Sequence, residues 1–429
     1  MEISSVEIPP YFLCPISLEI MRDPVTLSTG MTYDRTSIER WIFSDKHQTC
    51  PVTNQQLTDP DLITPNHTLR RLIQAWCVSH ASDGIERLPT PKPPINKSQI
   101  VSLLEEAKNS PHNTVLYLKK LRGLTLEAER NKRLVGECVE VMDFLILVIK
   151  DHTLEDRTNE DHLLYDEEVL ESASGIATTS ACEEALNLLN SLNLSDQGWI
   201  RVLARNGGFI DILTAIMAKS NYQSRAYAVF LLKSLVQVMS PARMILVRSQ
   251  LVQEVVRIIQ DQVSSKAMKA ALQVMCRLSP WGRNRVKVVE AGTVQLLIDM
   301  LLDVQDKKAC ELMLFVLEQL CRCSEGRSKF ILHGAGIALV SKKIFRVSNV
   351  ATESSVRILN LVAKYSASPV ILQEMVQLGV VAKLFMVLQM DCSAKARDKA
   401  KEILSLHYKV WRASPCLSPQ LKAFYPVVN

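Results

Sequence analysis

No stretch of 18 or more consecutive apolar residues occurs in the 429-residue chain, so a helix spanning a bilayer is not expected. Met1 to Pro10 has neither a basic start nor an apolar core, which argues against a secretory leader. No Cys-x-x-Cys pair is present among the eleven cysteines, and the closest pair, Cys321-Arg-Cys323, has the wrong spacing for a zinc knuckle. An odd number of cysteines without a leader reads as free thiols in a reducing compartment. Cys182, Cys276 and Cys310 fall on apolar helical faces, where a thiol behaves as a small hydrophobe. Nor is there a large excess of either charge. The net charge is +5, with 6 Lys/Arg against 9 Asp/Glu in residues 1 to 80, which leaves +8 for the rest. Neither value demands nucleic acid, and a mildly basic solvated face is the simpler reading of the second, ahead of an acidic partner or a lipid surface.

What is present is apolar and periodic. Hydrophobic residues make up 47% and charged residues 22%, enough to bury a core and too ordered a composition for a disordered chain. Residues 88 to 95, Leu-Pro-Thr-Pro-Lys-Pro-Pro-Ile, hold four prolines in eight positions. Such a segment lacks backbone donors and favours an extended spacer, so a domain boundary is placed at a linker over 81–96. Beyond it, turns that open an apolar helix recur with anchors at 208, 250, 292, 336 and 379, spaced by 42, 42, 44 and 43 residues. That period, with about three helical segments per unit, is an armadillo/HEAT signature. Each unit ends in a long helix with apolar residues at helical spacing, such as Ala228, Leu231, Leu232 and Leu235, or Val356, Leu359, Asn360 and Ala363. One unit cannot bury such a face alone, so the units depend on one another. Weaker anchors near Asn96 and Val139 extend the array to about seven units over 97–411, followed by a tail at 412–429. The step from 139 to 208 is 27 residues longer than a period, and the excess at 151–179 is rich in Asp and Glu. It reads as a solvated acidic loop, with an acidic docking site as the alternative.

Residues 7 to 80 follow different rules. Pro9 to Ser17 reads as a loop with exposed apolar groups, and Val25 to Tyr33 as a short hairpin turning at Gly30. Asp34 is placed to cap a helix carrying Ile38, Trp41 and Ile42, and Asn66 to cap a second with a stripe of Leu69, Leu72, Ile73 and Trp76. Between them lies a loop around Thr49-Cys50-Pro51-Val52-Thr53. The run Phe12-Leu13-Cys14-Pro15-Ile16-Ser17-Leu18-Glu19-Ile20-Met21-Arg22-Asp23-Pro24-Val25, then Gly30-Met31-Thr32-Tyr33-Asp34-Arg35, then Cys50-Pro51-Val52-Thr53, resembles the U-box family over about 70 residues in order. With the linker and the array behind it, the chain looks like the compact stress- and immunity-related group of plant U-box/armadillo ubiquitin ligases.

The resemblance implies a mainly α protein: a small α+β module with a RING-like fold but no zinc, followed by an α-solenoid. A RING needs eight Cys/His ligands, whereas residues 7 to 80 offer only Cys14, His47, Cys50, His67, Cys77 and His80, without paired spacing. Neither metal nor cofactor is expected, and hydrogen bonds and charge pairs must hold the module instead, with Glu19, Asp34, Arg35 and Glu39 as candidates. The resemblance also implies a ubiquitin transferase that forms no covalent intermediate of its own. It docks a ubiquitin-charged conjugating enzyme through the module and recruits a protein substrate, and itself, for transfer to lysine. Ile16, Leu18, Trp41 and Pro51 would form the docking groove, with Cys14 and Pro15 shaping the first loop. On spacing alone, Trp41 is more readily a core residue than a contact; the family motif moves it to the interface. At Asn54 many RING and U-box domains place an Arg that holds the conjugate closed. Asn lacks that charge and fork, so a weaker lock is expected.

Thr64-Pro65 and Thr90-Pro91 are candidate phosphorylation sites, with self-association through the module as what Thr64 would control. Two other functions stay open: a non-enzymatic adaptor whose module only dimerises, and a ligase carrying ubiquitin on a thiol such as Cys138, Cys276 or Cys392. The Asn ladder of peptide-binding armadillo proteins is sparse, with Asn360 its clearest candidate. A cytoplasmic location is expected, with nuclear or peripheral membrane placement open.

Overall fold

The computed structural model describes residues 7–57, 63–88, 95–162, 173–262, 264–417 and 419, with backbone alone at 44, 152–162 and 173–180. It divides into two compact units: residues 1–148 with 169–193, and residues 149–168 with 194–429. The division does not fall at the proline-rich segment, of which 89–94 lies outside the described residues.

The first unit opens with a three-stranded antiparallel sheet in the order β2-β1-β3, from β1 (Pro24–Thr26), β2 (Thr32–Asp34) and β3 (Thr64–Pro65). Val25 sits opposite both Tyr33 and Pro65. Gly30 has φ +80°, which a residue with a Cβ rarely adopts, and this closes the β1–β2 turn. Asp34 ends β2 and caps α1 (Arg35–Glu39), which runs on into a wider helical turn over Arg40–Ser44. Asn66 caps α2 (His67–Ser79) by accepting from the Leu69 N–H at 3.0 Å. Val25, Tyr33, Ile38, Cys50, Ile73 and Cys77 are fully buried together, each aliphatic one contributing about 1.5–3 kcal/mol. The α2 stripe differs from expectation in one place. Leu72 is 54% exposed and Cys77 is buried, because residues 69, 73, 76 and 77 share a face that position 72 only borders.

Beyond the linker, α3 (Lys97–Asn109) starts at a capping box made by Asn96 and Gln99. It packs on α4 (Thr114–Glu127), which also touches α5 (Glu129–Glu137) and α7 (Ala173–Ser191). Between these last two lies α6 (Val139–His162). The acidic stretch expected as a loop over 151–179 is therefore helical at 151–162 and 173–179, and residues 163–172 lie outside the described residues. The loop expectation rested on the excess over one period and on charge; Glu and Leu are good helix formers, and no proline interrupts the run.

The second unit repeats a three-helix motif: α8 (Asp196–Arg205), α9 (Phe209–Lys219) and α10 (Tyr222–Val238); α11 (Pro241–Ile245), α12 (Ser249–Gln260) and α13 (Ser265–Leu278); α14 (Gly282–Glu290), α15 (Thr293–Asp303) and α16 (Lys307–Leu320); α17 (Ser324–Leu332), α18 (Gly336–Lys343) and α19 (Asn349–Tyr365); α20 (Pro369–Gln377), α21 (Val380–Gln389) and α22 (Ala394–Leu406), then α23 (Tyr408–Ala413). The middle helices begin within one residue of the sequence anchors. Each third helix packs on the next, α10 on α13, α13 on α16, α16 on α19 and α19 on α22. Polar links fix the stacking: Lys269 Nζ to Asp306, the cap of α16, at 2.9 Å; Glu311 from Ser348, the cap of α19, at 2.7 Å; Glu353 from Ser393, the cap of α22, at 2.6 Å. The same cap residue thus starts one helix and ties it to its predecessor. Asn360, on α19, is only 4% exposed, and its Nδ2 has no hydrogen-bond partner among the described residues.

Candidate functional site

The site is built on two loops that repeat each other. Cys14-Pro15-Ile16-Ser17-Leu18-Glu19 and Cys50-Pro51-Val52-Thr53-Asn54-Gln55 match residue type for residue type except at the fifth place. Their backbones match as well. Cys14 N–H donates to Glu19 O at 2.8 Å and Leu18 N–H to Cys14 O at 2.8 Å; Cys50 N–H donates to Gln55 O and Asn54 N–H to Cys50 O, both at 2.9 Å. The fifth residue of each loop is left-handed, Leu18 at φ +59° and Asn54 at φ +55°. Asn tolerates that conformation. Leu rarely adopts it, and Leu18 is held there with its side chain 75% exposed.

Consecutive residues of β2 pin the two loops side by side. Asp34 N–H donates to Cys14 Sγ at 3.3 Å, while the Tyr33 hydroxyl lies 3.0 Å from Cys50 Sγ and accepts from Val52 N–H at 3.3 Å. Thr29 Oγ1 also donates to Cys50 Sγ, at 3.4 Å. Burial opposes ionisation of Cys50, but hydrogen bonds from Thr29, Thr53 and Tyr33 outweigh it and lower the thiol to about 6. Burial and the neighbouring Cys50 raise the Tyr33 hydroxyl. The two directions together favour a protonated Tyr33 hydroxyl beside Cys50 Sγ.

The polar scaffold centres on Asp34. Its Oδ1 accepts from the N–H groups of Arg22 (2.8 Å) and Asp23 (3.0 Å), and its Oδ2 from Thr36 N–H (3.2 Å) and Oγ1 (2.6 Å). Arg35 pairs with Asp23 at 2.6 Å and with Glu39 at 3.5 Å, and Arg70 joins from α2 at 3.2 Å to Asp23. Of the four residues expected here, Asp34, Arg35 and Glu39 take part. Glu19 is on the surface of the first loop, contributing its backbone carbonyl, and Asp23 and Arg70 take the place expected for it.

Trp41 is half-buried against the core; its Nε1–H donates to Thr49 O at 2.9 Å and its ring stacks on His47 at 3.8 Å. One edge thus braces the second loop while part of the ring stays open, so the core and contact readings each hold in part. Ile16 and Pro51 are half-buried, Pro15 is exposed and Val52 is 49% exposed. Thr64 is exposed on β3 opposite Thr26, and Thr90 lies outside the described residues. Among the described residues, no cluster of three or more His, Cys, Asp or Glu side chains is placed to hold a metal.

The thiols considered as ubiquitin carriers are ill suited to it. Burial raises Cys138, Cys276 (to about 12) and Cys392, and Glu140 beside Cys138 raises it further by accepting its hydrogen bond at 3.0 Å.

The sequence pattern of the U-box domain fits residues 8–82, and that of the plant U-box protein ARM repeat region fits residues 99–425. The chain belongs to the plant U-box/armadillo-repeat family of ubiquitin ligases. Three Arabidopsis thaliana relatives share nearly its whole length. E3 ubiquitin-protein ligase PUB22 is 47% identical, over 98% of this chain and 99% of its own. E3 ubiquitin-protein ligase PUB23 is 45% identical over 98% of each, and E3 ubiquitin-protein ligase PUB24 is 33% identical over 97% of this chain and 95% of its own. This U-box ligase is accordingly a ubiquitin transferase whose partners are a conjugating enzyme and a substrate, and the non-enzymatic adaptor reading is set aside. Sequence reading missed Val52, Tyr33, Asp23 and Arg70. The six-residue internal repeat at Cys14 and Cys50 was the signal that would have found Val52, since it sits where Ile16 does.

Proposed function

We propose that the conjugating enzyme docks on the face formed by the twin loops and Trp41, through Ile16, Leu18, Trp41, Pro51 and the newly recognised Val52. The observation that carries this reading is Leu18: a large apolar side chain, mostly exposed, on a left-handed residue that two backbone hydrogen bonds hold in place. Apolar anchors clustered at the centre of a contact supply most of its affinity. Once docked, the ligase contributes position. The substrate lysine amine attacks the thioester carbonyl on the conjugating enzyme, an isopeptide bond forms, and the conjugating enzyme's thiol leaves. No side chain of the ligase need exchange a proton or form a bond. The armadillo repeats would hold the substrate. A place in stress or immune signalling, a cytoplasmic location and self-association through the U-box belong to the same proposal, supported by the resemblance in domain order.

The test is chain formation by the full-length protein with a ubiquitin-charged conjugating enzyme. Trp41→Ala and Leu18→Ala should each abolish or strongly reduce it while melting stays cooperative. Full activity in both would remove the docking face from this surface.

A further inference from the structure

Helix α5 begins without a cap of its own. Its N-cap position is Ala128, which has no side chain able to accept a hydrogen bond, so its first N–H groups must find partners elsewhere. One comes from the U-box. The Glu39 carboxylate, at the end of α1 and 3% exposed, accepts from the backbone N–H of Arg130, the second residue of α5. Burial raises the Glu39 carboxyl, while Arg35, the Arg130 N–H and the helix dipole oppose that shift. One turn further along α5, the Arg133 guanidinium lies over the Phe43 ring at 4.2 Å. Both α1 and the wider turn Arg40–Ser44 pack on α5. Next to Arg130, in the same first turn, the buried Asn131 ties α5 to α4, its Nδ2 donating to Leu124 O at 3.2 Å.

Glu39 and Phe43 flank Trp41 two residues away on each side. The segment that carries the aromatic of the docking face is therefore held from behind by the first helices beyond the linker. We propose that α5 is a positioning element for ubiquitin transfer: the Arg130 N–H and the Arg133 guanidinium set Arg40–Ser44, and with it Trp41, in the orientation that receives the conjugating enzyme. Neither residue touches the conjugating enzyme or the reacting atoms. The inference rests on the docking reading above.

The experiment is single-turnover discharge of a ubiquitin-charged conjugating enzyme, titrated against the full chain. Arg133→Ala should raise the half-saturating concentration about three- to tenfold, the effect of losing one cation–π contact, with the maximal rate unchanged. Arg133→Lys should restore most of the loss. Arg130→Pro deletes the N–H given to Glu39 at a helix position where proline is tolerated, and should act the same way; Arg130→Ala, which keeps the N–H, is its control. If Arg133→Ala fails to melt cooperatively, Arg130→Pro decides. Wild-type half-saturation in both, with Trp41→Ala inactive, would overturn the positioning role and leave the docking face standing. A fall in maximal rate with half-saturation unmoved would also overturn it. Wild-type discharge by Trp41→Ala would overturn the docking reading and this inference with it.

Discussion

Asp34→Ala should open the U-box locally. The carboxylate accepts four hydrogen bonds, two from the Arg22 and Asp23 N–H groups and two from Thr36. Loss of the cap on α1 costs about 1 kcal/mol. The two amides left without an acceptor cost roughly 1–3 kcal/mol each, at the lower end here because they are only partly buried. The sum is roughly 3–5 kcal/mol, a large share of the 5–15 kcal/mol that holds a typical domain. Amide hydrogen exchange in the full chain reads this directly: peptides covering residues 8–40 should exchange roughly a hundredfold faster or more. Asp34→Asn keeps a cap oxygen but loses the charge, and should fall between Ala and wild type. If Asp34→Ala accelerated exchange less than about tenfold, the claim that this carboxylate organises the module would fail.

Other expectations follow from single contacts. The Cys50 thiol stands at about 6 in the folded chain against about 8.5 in an unfolded one. A lowered folded value contributes stability that is fully present above the unfolded value and lost as pH falls through the folded one. The urea midpoint of the U-box should therefore rise between pH 6 and pH 8.5, and Cys50→Ser should flatten that rise. Leu18→Gly relieves a left-handed side chain, worth roughly 1 kcal/mol, yet removes the proposed docking anchor, so it should melt no lower than wild type while losing chain formation. Asn54→Arg should speed discharge onto free lysine by adding a bridging charge, at a stability cost of about 1 kcal/mol because Arg must take the left-handed conformation; an unchanged discharge rate would count against the weak lock. In the repeats, a Cβ at Gly326 would lie 2.0 Å from the Leu320 carbonyl oxygen, and Gly326→Ala should lower the urea midpoint by an amount equal to about 2 kcal/mol or more. Gly208→Ala meets nothing within 4 Å and has negative φ, and should be neutral or slightly stabilising.

Much of this protein was written locally and could be read so. Asp34 and Asn66 cap the helices their types predict, Gly30 closes its turn, and the repeat anchors fall where the middle helices start, because caps and turns depend on a few neighbouring residues. Failures of the reading came from long-range effects. Leu72 and Cys77 exchanged burial because a face shared with the sheet, not helical spacing alone, sets what is covered. Glu19 was taken for a scaffold carboxylate on charge and position in the motif, but it falls on the outer side of a loop whose backbone direction the side chain does not control.

The sequence by itself determined that residues 7 to 80 carry a U-box and that an armadillo array follows, since an ordered motif and a fixed period survive without coordinates. Only the tertiary structure decided how the module holds together and what packs behind Trp41. Cys14 and Cys50 meet consecutive residues of one strand, and Glu39 meets the Arg130 N–H across 91 residues of chain. Such contacts depend on how the elements stack, and no local pattern of residue types encodes that.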